Sequence, residues 1–420
     1  MTPAELEAPV LVVRVDLTFP ETGLSAIRTR DVRYTAARVL VTHGTSPLGM
    51  IDLPLEATPL ADDLAGRLGI SDAPRVAPRQ SSSYEYLPFT SVVVPSIFMR
   101  LEHLEQSVRA LSELDHPDFE VVVVDNRRIP DPASWAPLLA LPRVRVVAEP
   151  KPGISAARNR GVREARGEIV AFTDDDVRVD PQWLQALSAR FVGEPTVDCV
   201  TGLVVAGELE TAPQLMFERY DDAVGTRFDA ETYRLTDARA RLTSADRYTV
   251  LAQGPDGRAR RTFWLYQLGG FMGANMAFRA SALAATGPFD EALGTGTATK
   301  GGEDLDMLAR ILTGGRRIGY EPSAMIWHTH RRTYDELHAQ MWGYGVGFTA
   351  MLAATVWRDP RHLVGLARAV LTVLAARLRS RPAGPHAADG LPAELRSRER
   401  RGMTAGPWNY LRTRLRDARL

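Results

Sequence analysis

Four short apolar runs, at 91–94, 121–124, 144–147 and 169–172, are spaced along the middle of the chain with helix-compatible stretches between them. Such runs read as strands buried on both faces, and strands alternating with helices predict a mostly parallel α/β sheet flanked by helices. In sheets of that kind ligands bind beyond the carboxyl ends of the strands. Three of the runs end in residues suited to chemistry: Pro95-Ser96, Asp125-Asn126 and Asp174-Asp175-Asp176. The strand ends therefore define the candidate site.

At 420 residues the chain exceeds one typical domain. Strand patterns at 10–17, 39–41 and 50–53 predict a small β-rich unit over residues 1–85, closed by a short helix at 60–68 and a Pro/Ser/Arg linker at 71–86. The central unit is expected over 86–350. Residues 351–420 read as a basic helical extension, since from Trp357 onward 14 arginines face 5 acidic residues. Leu363, Leu366, Val370 and Leu374 there fall on one apolar helix face. Residues 384–402 are expected to be partly disordered and 408–420 to form a last amphipathic helix.

Formal charge balances at 51 basic against 51 acidic residues, which gives no sign of a nucleic-acid partner. All basic residues except Lys151 and Lys300 are arginine, so a single arginine is weak evidence for phosphate recognition. Cys199 stands alone, which excludes an internal disulfide, and no Cys/His group has zinc spacing. The first residues form neither a basic nor an apolar leader, and a cytoplasmic protein is expected. The stretch 363–378 is short of the roughly 20 residues a membrane span needs and carries Arg368 and Arg377. The C-terminal region is read either as an ordinary packing helix with solvated arginines or as a contact with the inner face of a membrane or with another subunit.

Three adjacent carboxylates at 174–176 repel one another unless a cation relieves them. Strand alternation sends Asp174 and Asp176 to similar faces, where they suit a ribose and a magnesium or manganese ion on a diphosphate; an acidic surface turn is the competing reading. Asp304 opens an apolar helical pattern after Gly301-Gly302-Glu303, which fits either a general base or a carboxylate favoured by the helix dipole. A mobile loop is expected over 294–302. Arg158, near the head of a helix beginning around Gly153, is placed to meet a phosphate. His328 and His330 point the same way on an extended strand and are either structural or metal ligands.

Together, Pro95-Ser96, Asp125-Asn126, 153–161, the aspartate triplet, Gly273-Ala274-Asn275-Met276, Gly302-Glu303-Asp304 and Trp327-His328 resemble, in order and spacing, the inverting glycosyltransferases of family 2 over about residues 88–350. The resemblance implies a GT-A type fold and a nucleotide-diphospho-sugar donor. It implies Asp125 as reader of the nucleobase, and Pro95, Arg158, Asp174 and Asp175 as further donor contacts. Asp176 and His328 become ligands of Mn2+ or Mg2+, with His330 the alternative to His328, and Asp304 becomes the catalytic base. Gly273, Asn275 and Glu303 become candidate sugar or acceptor contacts. The apolar Ile97-Phe98-Met99 and the acidic middle of the triplet depart from the family pattern at the donor side.

The expected activity is metal-dependent transfer of a sugar to an acceptor hydroxyl with inversion, the acceptor being a glycan, a lipid-linked sugar or a small molecule. A sugar-nucleotide nucleotidyltransferase is the nearest rival, though residues 91–105 lack the glycine and lysine of an activating loop. An inert carbohydrate-binding or scaffold protein is the rival from another class.

Overall fold

The structure, a computed structural model, describes residues 6–28, 31, 33–55, 61–69, 86–224, 227–237, 239, 241, 244, 246–268, 273–379 and 392–417. The expected linker at 71–86 lies almost wholly outside the described residues. Before it, β1 (Val10–Asp16), α1 (Glu21–Arg28), β2 (Ala36–His43), β3 (Ser46–Pro54) and α2 (Ala61–Arg67) form the N-terminal unit. Strand β1 pairs parallel to β2, and β2 pairs antiparallel to β3. The helix between β1 and β2 has no counterpart in the sequence reading; a parallel pair needs such a crossover.

The central sheet is built from β4 (Thr90–Ser96), α3 (Leu101–Ser112), β5 (Phe119–Asp125), α4 (Ala136–Leu139), β6 (Val144–Ala148), α5 (Ile154–Glu164) and β7 (Ile169–Phe172). Strands β6, β5, β4 and β7 lie side by side and parallel. Alternate valines of β4 and β5 feed opposite layers: Val93, Val122 and Val124 meet Phe172, Phe289 and Met307, whereas Val92, Val94, Val121 and Val123 meet Leu104, Val108 and Trp183. Burial on both faces explains why these strands read as unbroken apolar runs.

The chain continues through β8 (Val177–Val179), α6 (Trp183–Gly193), β9 (Val197–Ala206), α7 (Ala212–Val224), β10 (Glu231–Leu235), β11 (Thr249–Gln253), β12 (Ala259–Trp264), β13 (Met276–Arg279), α8 (Ala280–Thr286), α9 (Glu303–Thr313) and β14 (Arg317–His328). Strand β13 inserts antiparallel between β7 and β9, β14 runs parallel to β9, and β10 to β12 extend the sheet as antiparallel strands. The fold is α/β, parallel on one side of β13 and mixed on the other.

Helix α10 (Tyr334–Arg358) runs through residue 350, so the expected boundary there falls inside a helix; α11 (His362–Arg379) and α12 (Ala393–Asp417) follow. Of the stretch 384–402, expected to be partly disordered, residues 384–391 lie outside the described residues and 393–402 are helical. A Cβ on Gly345 would overlap the Glu399 carbonyl, and one on Gly402 would come within 2.4 Å of the Trp342 carbonyl. These glycines bring α10 and α12 backbone to backbone.

Candidate active site

The site is assembled by register. Strand β8 pairs antiparallel with β14 so that Val177 faces His328, which sets Asp176 beside the imidazole at 3.6 Å from Nε2. One ligand atom each from Asp174, Asp176 and His328 lies within 4.8 Å of the others. Burial lowers His328 below the usual imidazole range against the pull of Asp176, which favours the neutral, ligating form. Burial also raises Asp174 above the usual carboxylate range, opposed by Arg158 and reinforced by Asp176. A divalent cation fits this donor set: two carboxylates and a neutral imidazole meet where mutual repulsion needs relief.

His330, the alternative histidine, belongs elsewhere. Its Nε2 lies 2.8 Å from Glu218, and Glu218 accepts from Arg38, whose guanidinium also grips Asp52 at 2.8 and 2.9 Å. All four side chains are buried, and they join the N-terminal sheet to the central one, where Leu40 packs on Leu203, Val205, Met325 and Trp327. His330 is a docking residue.

Asp175 is turned away from its neighbours toward β4, where the Ser96 hydroxyl donates to it at 2.5 Å. Burial, with the charges of Asp176 and Asp174, pushes its carboxyl up to about 6 in spite of that bond. Pro95 is buried within β4 opposite Val124, and Ser96 is the residue that reaches the triplet.

The base side lies on α9. Gly302 caps this helix in the left-handed region, at φ 89°, and a Cβ there would come within 2.4 Å of the Gly347 carbonyl on α10. The helix start is thus fixed against α10, placing Glu303 and Asp304 in its first turn. Asp304 Oδ2 accepts from the Gly273 amide at 3.0 Å, and Oδ1 from the Leu305 amide at 2.8 Å. Glu303 points inward, is buried, and accepts from Arg158 at 2.8 Å. Burial and the adjoining Asp304 push Glu303 up to about 7 although Arg158 pulls the other way. The loop from 294 to 302, expected to be mobile, is tied down: Ile154 donates to the Thr295 carbonyl at 3.0 Å and the Thr299 hydroxyl to the Ala292 carbonyl at 3.0 Å.

Three expected contacts are corrected. Arg158 is 1% exposed and spent internally on Glu303, the Gly273 carbonyl at 3.3 Å and Asp174 at 3.7 Å, so it braces the site instead of presenting itself to a phosphate. Asn275 is locked in the sheet: it accepts from Trp183 and donates to the Leu203 and Ala324 carbonyls. Asp125 is buried and accepts from Arg127 and from Trp135 at 2.8 Å. Burial opposes ionisation there, yet these bonds hold its carboxyl below the usual range. Its oxygens are thus committed to neighbours, leaving Arg127, stacked on Phe98, as the side chain that covers this strand end. Arg127 and Trp135 escaped the sequence reading; the only local signal is an arginine two residues after Asp125. Asn126, by contrast, braces the loop before α5 through the Glu149 and Lys151 carbonyls and the Gly153 amide.

Residues 91–286 match the family model described as Glycosyl transferase family 2. The chain is 27% identical over 201 residues to the pre-mycofactocin glycosyltransferase of Mycobacterium tuberculosis, a match covering 48% of this chain and 35% of that protein. It is 31% identical over 143 residues to the glycosyltransferase AglE of Haloferax volcanii, covering 32% of this chain and 45% of that one. The chain thus spans less than half the length of these curated relatives. Among solved structures, the mannosyltransferase PcManGT of Pyrobaculum calidifontis in complex with GDP-Man and Mn2+ is similar at 21% identity and a TM-score of 0.44, over 79% of this chain and 88% of that one.

Proposed function

We propose that this chain, whose residues 91–286 match the family 2 glycosyltransferase model, is a GT-A type enzyme that transfers a sugar from a nucleotide-diphospho-sugar to an acceptor hydroxyl with inversion at the anomeric carbon. The observation that carries the reading is the meeting of the Asp174, Asp176 and His328 cluster with the head of α9 through one buried arginine, Arg158. Asp174, Asp176 and His328 would hold Mn2+ or Mg2+, which when bound offsets the charge of a departing diphosphate. Asp304 accepts the proton of the attacking hydroxyl, a group too weakly nucleophilic to react unaided. The Gly273 and Leu305 amides fix the direction of that carboxyl, and Glu303 behind it is held by Arg158. A single displacement with no covalent enzyme intermediate inverts the centre.

The test is calorimetric titration of a panel of nucleoside diphosphates and their sugars with Mn2+ and with excess chelator, followed by NMR of the transfer product. Tight binding only with Mn2+, its loss in H328A, its retention in H330A, and an inverted anomeric coupling are expected. Equal affinity with metal and with chelator, or a product of retained configuration, contradicts the proposal.

A further inference from the structure

Helix α11 carries features that glycosyl transfer does not use. Leu363, Ala367, Val370 and Leu371 are exposed on it. At 100° per residue they fall within one sector of roughly 100°. Leu363 and Val370 are each 57% exposed and Leu371 64%. Leu366, expected on that same face, lies at its flank and packs with Ala369 on the main core, and the side chain of Leu374 lies outside the described residues. This is one amphipathic helix whose second apolar stripe has no cover among the described residues.

Its charge is as one-sided as its exposure. Between His362 and Arg379 there is no acidic residue, while Arg368, Arg377 and Arg379 lie within it and Arg361 just precedes it. Trp357, 51% exposed, ends the preceding helix beside this start. At the same end a cavity of about 370 Å³ is lined by Arg247, Arg310, Arg358, Arg361 and His362; Arg310 and Arg358 are paired there with Asp306 and Asp290, and Arg361 with Asp359. The Thr286 hydroxyl, also on its lining, is buried without a hydrogen-bond partner. An exposed apolar stripe, a tryptophan at its edge and a helix with arginines but no acid match the layers of an anionic phospholipid surface: acyl chains, interface and headgroup. No helix among the described residues is long and apolar enough to cross a membrane, so the contact would be in-plane.

We propose that α11 is an interfacial anchor that docks the protein on an anionic phospholipid surface through its exposed apolar stripe and its arginines. This goes beyond the catalytic reading and is measured without any sugar donor. The full chain is sedimented with vesicles of phosphatidylcholine alone and of phosphatidylcholine with phosphatidylglycerol. Binding to the phosphatidylglycerol vesicles is expected, falling at least about tenfold in L363Q/V370Q/L371Q, whose three lost apolar contacts lie at the surface. R361Q is expected to weaken it by about fivefold, the equivalent of one interfacial cation. Because these side chains are exposed, thermal melting of both variants should match the parent. Unchanged binding in the triple variant, absence of binding to either vesicle, or a dimer in light scattering that the triple variant dissociates overturns the proposal.

Discussion

The amide of Gly273 donates to Oδ2 of Asp304 at 3.0 Å, and the carbonyl of the same glycine accepts from Arg158 at 3.3 Å. One residue of the segment before β13 thereby couples the head of α9 to the arginine that lies 3.7 Å from Asp174. A Cβ at position 273 would lie 2.9 Å from the Arg158 Nη2 atom and 3.0 Å from Asp304 Oδ2. The glycine is required for close approach.

It follows that Gly273→Ala displaces the Asp304 carboxyl and the Arg158 guanidinium beside it. Turnover should fall at least about tenfold, since misplacing a reacting group by about 1 Å costs up to about 100-fold. Metal-linked nucleotide affinity should fall by less than turnover in the same titration. Parental turnover in this variant would show that the contact does not orient the base.

Arg158 and Glu303 should behave as one buried unit. Well above pH 7, where Glu303 is ionised, Arg158→Met strands a buried carboxylate and should destabilise the fold by about 3–5 kcal/mol in chemical denaturation. Adding Glu303→Gln removes the stranded charge, so the double variant should be more stable than R158M by about 1 kcal/mol or more. Strictly additive losses would mean that the two groups are not coupled.

Acid sensitivity should trace in part to His116. This side chain is buried beside Phe119 with Nε2 3.1 Å from the Ser188 hydroxyl, and burial lowers its pKa to about 4. An unfolded chain takes up that proton near pH 6.5, the folded one only near 4, so stability falls as pH falls across this window. Glu303 and Asp175, both raised, work in the opposite sense, which makes the difference between variant and parent the useful quantity. The drop from pH 7 to pH 4 should shrink by about 2 kcal/mol in His116→Gln. An identical drop in both proteins would refute the assignment.

What could be read from the residues was local. The four apolar runs became β4 to β7, and the aspartate triplet follows β7 as a turn because three carboxylates do not share a strand interior. Asp304 lies in the first turn of α9, as the Gly302-Glu303-Asp304 spacing predicts. The choice between His328 and His330 was not legible: their chemistry is the same and their separation is two residues. The pairing of β8 with β14 and the bond of Glu218, 112 positions away, to His330 favour His328. The same long range hid the Arg38 network, in which partners lie 14 and 180 positions apart. Asn275 and Arg158 misled for a related reason. Polar residues beside a site motif read as ligand contacts, whereas the buried ends of β13 and α5 need those groups to satisfy carbonyls and a carboxylate inside the protein.

The central claim concerns Asp304, and Asp304→Asn tests it most directly, because the amide keeps the shape and loses the basicity. With a donor and acceptor from the panel in hand, turnover should fall about 100-fold to 10,000-fold while Mn2+-linked donor affinity stays at the parental value. Near-parental turnover in a folded Asp304→Asn protein would contradict the account and move the base elsewhere.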